Sequence, residues 1–472
     1  MPTGAGKSLT FQIPARILRG TVLVVSPLIS LMKDQVDALA RNGFRATVIN
    51  STLDPETRRD RLRRVRDGDY ELVYVAPEGL EGNLRGFLAD VDVSLIVVDE
   101  AHCISEWGHD FRPAYRKLRG LKQELGGVPI LALTATATRR VAGDIIRQLG
   151  MRKPDGFKGS FFRPNLRITA VRKGESRDAG AARPARNVRR DLLALLRARR
   201  SQSAIVYCMS RRSVENTAAY LSEHGIRVAP YHAGLPDEVR ERNQDAFARD
   251  DIDVIVATIA FGMGIDKSNV RLIVHREMPK SVEAWMQEIG RAGRDGLPSE
   301  CVVYYSWADV IGYDSFLAGI DDPALREDTR RKTVELFRML DRGGCRHQAM
   351  CGHFDEVMEP CGSSCDACTG EGIEQQVAAA GGPVGAIRAR GTAAASPALS
   401  AEGADLFEKL RAVRKRIADA EGVPAYIVFS DAALRGMAER RPHTESELLG
   451  VSGVGPVKLA RYGEAFLAAL RE

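Results

Sequence analysis

Two series of short apolar runs, rich in β-branched residues and separated by helical stretches, constrain this chain more than any other feature. The first series is Val22–Ser26, Leu72–Val75, Leu95–Asp99 and Ile130–Thr134. Beyond a break near Pro164 the second is Ala204–Cys208, Val228–Tyr231, Val254–Ala257, Leu272–His275 and Val302–Tyr305. A run without polar alternation suits a strand buried on both faces, and strands separated by helices pair in parallel because no hairpin can join them. The pattern predicts an α/β fold of two similar lobes, each built on a parallel sheet. The 472 residues suffice for about three domains at roughly 100–200 residues each. No apolar run reaches the roughly 18 residues of a membrane span. The amino terminus, MPTGAGKSLTFQIPA, lacks the basic-then-apolar layout of a signal peptide. The expected location is cytoplasmic, nucleoid-associated if the source is a bacterium, with no membrane partner.

Charge is unevenly spread. The whole chain carries +6, yet residues 172–200 hold ten Arg or Lys against three Asp or Glu. That stretch suits either a phosphate-binding stripe or a solvated helix face. The cysteines are also clustered: of eight, five fall between Cys345 and Cys368.

The strand ending at Val98 leads into Asp99 and Glu100, and two carboxylates at the carboxyl end of a buried strand imply a bound cation or an activated water. Residues 4–8, Gly4-Ala5-Gly6-Lys7-Ser8, supply the complementary half of such a site. Glycines let the backbone wrap a phosphate, the lysine reaches the outer phosphates and the serine hydroxyl ligates magnesium. The general pattern has a further glycine five residues before Gly6, where this chain has Met1. Just after the carboxylates come Trp107, His109, Phe111 and Arg112, an aromatic and charged cluster of the kind that binds unstacked bases. With one phosphate loop for two lobes, nucleotide is expected in the cleft between them. The second lobe would then contribute QEIGRAGRDG, residues 287–296, in which Arg291 and Arg294 are expected on one side of a helical turn. Arginines so placed stabilise the charge on a transferring γ-phosphate.

The ordered set of motifs resembles the RecQ family of superfamily 2 helicases. MPTGAGKS is similar to motif I, SPLISLMKDQV to motif Ia, DEAH (99–102) to motif II and LTATAT (133–138) to motif III. AIVYCMSRRSVE (204–215) resembles motif IV, ATIAFGMGIDKSNVR (257–271) motif V and QEIGRAGRDG motif VI, while EWGHDFRP resembles the family's aromatic-rich loop. The resemblance implies two RecA-like lobes and ATP-driven 3′ to 5′ translocation on single-stranded DNA with duplex unwinding in recombination and repair. It implies that Lys7 and Ser8 hold phosphate and magnesium, that Asp99 positions the metal, and that Glu100 activates water. His102 would link this site to Gln287 or to the motif III loop. Gly264 and Asp266 would face nucleotide, Arg291 and Arg294 would act as arginine fingers, and Trp107, His109, Phe111 and Arg112 would sense DNA. The implied ligands are ATP, Mg2+ and Zn2+. The implied partners are single-stranded and forked DNA, with single-stranded-DNA-binding protein and recombination proteins beyond them.

Cys345, Cys361, Cys365 and Cys368 form C-x15-C-x3-C-x2-C, a layout for tetrahedral zinc. The site resembles the zinc subdomain of the same family, with three residues rather than the usual two between its second and third cysteines. Cys351, His347 and His353 are close enough in sequence to substitute. Residues 371–402 read as a flexible Ala/Gly-rich linker. Residues 403–472 resemble an HRDC domain, a helical bundle with eleven basic and eleven acidic residues over 401–472 and hence no strong electrostatic footprint. The expected domains are thus 1–162, 163–320, 321–370, the linker 371–402 and 403–472.

Two departures from the family bear on activity. The chain begins at the phosphate loop, without the strand and adenine-reading glutamine motif that precede it in the family, so weakened ATP binding is expected. The family's winged-helix domain also has no counterpart between the zinc site and the HRDC segment, so ATPase activity should be more robust than unwinding. A DNA-stimulated ATPase without effective unwinding, a non-catalytic DNA-binding protein and an RNA helicase are the competing readings.

Overall fold

The computed structural model describes residues 6–27, 29–80, 83–108, 110–174, 187–261, 267–317, 319, 322–379 and 399–471. The chain divides into two compact units. The first unit, residues 6–161 with 350–357, is built on strands β1 (Thr21–Val25), β2 (Ala46–Ile49), β3 (Leu72–Val75), β4 (Val93–Val98) and β5 (Ile130–Ala132). All pair in parallel in the order β2-β3-β1-β4-β5. The central strands are valine-rich and buried along their length because helices cover both faces. Alignment of Val25 with Val98, and of Val98 with Ala132, brings the carboxyl ends of β1, β4 and β5 together.

The second unit carries β6 (Leu166–Arg172), β7 (Ser203–Tyr207), β8 (Val228–Tyr231), β9 (Val254–Ala257), β10 (Val270–His275) and β11 (Ser299–Tyr305) in the parallel order β6-β11-β10-β7-β9-β8. Two strands were not anticipated, β2 and β6. Both are edge strands, and β6 is interrupted by Arg167 and Thr169 and ends on exposed Arg172, unlike the continuous apolar runs elsewhere. The remaining strands lie within three residues of their expected bounds.

The segment after β11 is helical through Trp307–Leu317, Pro323–Asp341 and Arg346–His353, and it returns to the sheet edge. There Ile168 N–H donates to Ser364 O at 3.0 Å and Ala170 N–H to an Asp366 carboxylate at 3.0 Å, so the cysteine-bearing loop caps β6. Residues 350–357, expected within the zinc subdomain, belong to the first unit. There Lys158 Nζ donates to Phe354 O at 2.6 Å, and the Phe161 and Phe354 rings stack at 4.4 Å. The expected linker also begins later than its composition suggested. Ile373–Ala379 is a helix whose Ile373 is buried and whose Gln376 donates to Thr169 Oγ1 at 2.8 Å; residues 380–398 lie outside the described residues.

The carboxyl-terminal segment is a helical bundle, Ala401–Glu421, Ala425–Val428, Asp431–Arg440, Glu445–Leu449 and Pro456–Arg471. Leu410, Phe429, Leu434, Met437 and Phe466 fill its core. Of the basic stretch 172–200, residues 175–186 lie outside the described residues. Several of the others serve the fold: Arg172 pairs with Asp341 at 3.2 Å, Lys173 with Asp309 at 2.6 Å, and buried Arg199 with Glu300. Among the described residues no helix is long and apolar enough to cross a membrane.

Candidate functional site

In the first unit the loop before the helix Leu9–Ala15 turns through Gly6, whose φ of 79° is a conformation that glycine adopts without a Cβ penalty. Ser8 is the N-cap of that helix, and its side chain makes no capping bond. Gly4 and Ala5 lie outside the described residues. Asp99 follows β4 directly, and its N–H donates to Val25 O at 2.9 Å. Dense surroundings and the adjacent Glu100 push the Asp99 carboxyl well above the ordinary range, with the Lys7 ammonium working against them. A carboxylate so disfavoured in the ligand-free protein fits a site whose charge is completed by a cation.

Glu100 adopts a left-handed backbone (φ 46°, ψ 45°), costly for a residue with a Cβ and common where a side chain is aimed for chemistry. Its carboxylate lies 3.3 Å from His102 Nδ1, and the same nitrogen lies 2.9 Å from Thr134 Oγ1. The motif III loop, one of the two links expected for His102, thus meets it at Thr134. Thr136 N–H donates to Thr134 Oγ1 at 3.2 Å, so one threonine joins the buried histidine to that loop.

The aromatic-rich segment leaves this site through a close turn. A Cβ on Gly108 would meet His102 O at 2.4 Å, so only glycine permits the approach that presents Trp107. Trp107 is 45% exposed, and the Arg140 guanidinium lies 3.3 Å from its ring centroid. Arg116 faces the Phe111 ring at 5.0 Å. Arg112 is a brace: its guanidinium donates to Asp110 at 3.2 Å and to Pro27 O at 3.0 Å, tying the segment to the turn after β1. His109 lies outside the described residues.

In the second unit Ser281 caps the helix Val282–Ile289, which carries Gln287. The helix ends at Ile289, so Arg291 and Arg294 do not share a helical face as expected; both lie in the turn that follows. That turn is held from outside, in part by residues the motif pattern does not mark. Arg163 donates to Ala292 O at 3.1 Å and Gly293 O at 2.8 Å, and Asn165 donates to Gly293 O at 2.9 Å and Leu297 O at 3.0 Å. Arg271 pairs with Asp295 from β10. Burial pushes the Tyr207 phenol up to about 12, opposed by the adjacent Arg291. No local signal in the sequence marks Arg163 or Asn165. Gly264 and Asp266 lie outside the described residues.

The four cysteines come together as the spacing predicted. The Sγ atoms of Cys345, Cys361, Cys365 and Cys368 all lie within 4.8 Å of one another, and Cys361 is 3.5 Å from Cys365 and 3.7 Å from Cys368. A tetrahedral ion with bonds of roughly 2.3 Å needs sulfurs about 3.8 Å apart, so the cluster fits zinc. Burial opposes ionisation of Cys345, but the N–H groups of Cys361 (3.2 Å) and Gln348 (3.4 Å) point at its sulfur and hold the thiol below its usual value. The reserves are otherwise engaged. His347 Nε2 lies 3.0 Å from Leu166 O and 3.2 Å from Ser364 O, His353 packs edge-on against Phe354, and neither they nor Cys351 join the cluster.

Residues 1–145 match the DEAD/DEAH box helicase family, 187–296 the helicase conserved C-terminal domain, 307–369 the RecQ zinc-binding domain and 403–470 the HRDC domain. Among solved structures, the DUF1998 helicase MrfA bound to DNA and AMPPNP aligns at a TM-score of 0.54 and 19% identity, over 66% of this chain and 46% of that one. Yeast (S. cerevisiae) Dbp5 bound to RNA and ADP BeF3 aligns at 0.51 and 14%, over 71% and 88%. Those likenesses establish the fold, and the two helicase-domain matches define the class, a two-lobed helicase. The family follows from closer relatives. The chain is 35% identical to the ATP-dependent DNA helicase RecQ of Haemophilus influenzae, over 100% of this chain and 90% of that protein. It is 36% identical to that of Bacillus subtilis, over 100% and 92%. It belongs to the RecQ family. The alignment with the Haemophilus protein runs over 571 residues against 472 here, so about a hundred residues of that relative have no counterpart in this chain.

Proposed function

We propose that this chain is an ATP-dependent DNA helicase that couples ATP hydrolysis to 3′ to 5′ movement on single-stranded DNA and to duplex opening in recombination and repair. The observation that carries the reading is the array Glu100–His102–Thr134 beside Asp99, because it joins a water-activating carboxylate to a loop that can report on the DNA-bound state. Lys7 binds the outer phosphates, Ser8 and Asp99 hold magnesium, and Glu100 orients and deprotonates the attacking water. Magnesium, when bound, neutralises phosphate charge. His102 fixes the Glu100 carboxylate. Gln287 belongs to the catalytic set and Gly264 and Asp266 contact nucleotide, while Arg291 and Arg294 stabilise charge on the γ-phosphate, an effect of about 10³–10⁵ in rate in comparable enzymes. Trp107, His109 and Phe111 stack on bases, with Arg112 holding the segment in place. The partners are single-stranded and forked DNA, and beyond them single-stranded-DNA-binding protein and recombination proteins.

The test is ATP hydrolysis with and without single-stranded DNA, beside Lys7→Ala and Glu100→Gln. Stimulated hydrolysis lost in both variants is expected; equal hydrolysis in native and variant protein refutes the assignment. A second reading, a DNA-stimulated ATPase that opens duplex poorly, is favoured by the hundred or so residues present in the relative and missing here. Unwinding of a forked duplex, measured beside hydrolysis, separates the two.

A further inference from the structure

The carboxyl-terminal bundle meets the second lobe through charge. On the helix Ala401–Glu421, Arg411, Arg414 and Lys415 lie at i, i+3 and i+4, hence on one face. Each reaches a turn of the lobe. Arg411 donates to Ser201 O at 2.7 Å, Lys415 donates to an Asp251 carboxylate at 2.7 Å and to Arg249 O at 3.1 Å, and Arg414 Nη2 lies 3.7 Å from Asp250 Oδ2. Asp250 in turn pairs with Lys267, and Arg414 Nη1 with Asp431 at 2.7 Å. Lys267, Asp250, Arg414 and Asp431 thus form an alternating row of four charges, with Lys267 and Arg414 almost entirely buried. Lysine is almost never fully buried unless paired, and a buried pair persists only when its surroundings complete it.

The position of this row gives it consequence. Ser201 precedes β7, Asp250 and Asp251 precede β9, and Lys267 precedes β10; these three strands are neighbours in the parallel sheet. The bundle therefore docks at the amino ends of the strands. Ligands of α/β sheets bind outside the carboxyl ends, so the dock leaves that face clear. Lys267 also closes the connection from β9 to β10, the segment that carries motif V. The bundle reaches that connection through one shared carboxylate, Asp250, which is held at a left-handed φ of 62°.

We propose that the HRDC bundle is a brace acting in cis on the motor: docked through Arg411, Arg414 and Lys415, it holds Asp250 and Lys267 at the amino ends of β9 and β10, and its release slows DNA-stimulated ATP turnover. The turnover half rests on the helicase reading above; the dock itself does not.

Charge reversal in the full chain tests both halves. Lys415→Glu and Asp251→Lys each place like charges opposite one another at the rim, and the double variant restores attraction. Both residues lie outside the nucleotide and DNA machinery, and Arg411→Ala serves as a second, milder lesion. Hydrogen exchange over residues 249–253 and 267–270 reads the dock, and hydrolysis with single-stranded DNA reads the coupling. Each single reversal is expected to speed exchange in both segments by about tenfold and to lower stimulated turnover by about threefold, with both recovered in the double variant. Unchanged exchange in both reversals and in Arg411→Ala overturns the dock. Faster exchange with native turnover overturns the regulatory role. A native chain that hydrolyses no ATP refutes the helicase reading and with it the coupling, while exchange still decides the dock.

Discussion

Gly293 and Gly296 offer a matched pair of perturbations in the turn that carries Arg291 and Arg294. Both have positive φ, 55° and 81°, so alanine at either position pays a left-handed penalty of roughly 1–2 kcal/mol. They differ in what a new Cβ would meet. At Gly296 nothing lies within 4 Å, whereas at Gly293 the Cβ would sit 2.5 Å from Asn165 Nδ2, 2.8 Å from Leu297 O and 2.8 Å from Ser299 Oγ. Asn165 can retreat only by giving up its bonds to Gly293 O and Leu297 O, and two such bonds contribute about 2 kcal/mol together. Gly293→Ala should therefore destabilise by about 3–4 kcal/mol, against about 1–2 kcal/mol for Gly296→Ala. Because the lost bonds anchor the arginine turn, Gly293→Ala should also reduce single-stranded-DNA-stimulated hydrolysis at least about tenfold, with Gly296→Ala near native. Urea unfolding and steady-state hydrolysis measure the two effects. Indistinguishable variants in both assays would mean that Arg163 and Asn165 do not position the arginines.

Other outcomes follow from the same contacts. Chelation of zinc, or Cys368→Ser, should free the loop that caps β6 and expose residues 361–370 to protease, since structural zinc contributes of order 10 kcal/mol in small domains; one zinc per chain by colorimetric assay is expected, and a stoichiometry near zero in folded protein refutes the site. Asp99 titrates at about 7 in the ligand-free protein against 3.8 ordinarily, so its protonated form favours the fold and that stability is lost as pH rises through this window. Asp99→Asn should therefore be more stable than the native chain by about 2 kcal/mol at about pH 8 without magnesium, with the gap shrinking toward about pH 5; a pH-independent gap in thermal unfolding contradicts this. Trp107→Ala should leave basal hydrolysis intact and weaken stimulation by single-stranded DNA several-fold, as one base stack contributes about 1–3 kcal/mol; native stimulation would remove Trp107 from the DNA contact.

The candidate site was legible because the chemistry proposed for it demands particular residue types at fixed spacing: Lys7 and Ser8 after glycines, Asp99 and Glu100 after a buried strand, four cysteines within a short reach. The strands buried on both faces were legible for a related reason, since only a run without polar interruption can occupy such a position. The edge strand β6 escaped notice because an edge position permits part-exposed Arg167, and a hydrogen-bonded Thr169, in the same strand as Ile168. What local sequence could not show is support that arrives from far along the chain. Arg163 and Asn165 hold a turn about 130 residues away, and Arg414 completes a carboxylate 164 positions earlier in the sequence, at Asp250. Nothing in a local window distinguishes such a residue from a solvated surface arginine. The arginine motif illustrates the result: its residue types suggested a pair of cations for a phosphate, but its geometry, a turn rather than a helical face, is set by those distant partners. Sequence motifs therefore name the groups that react, whereas the residues that aim them emerge from tertiary hydrogen bonding. For this chain the aiming residues, Arg163, Asn165 and Thr134, are where substitutions should separate catalytic rate from nucleotide binding.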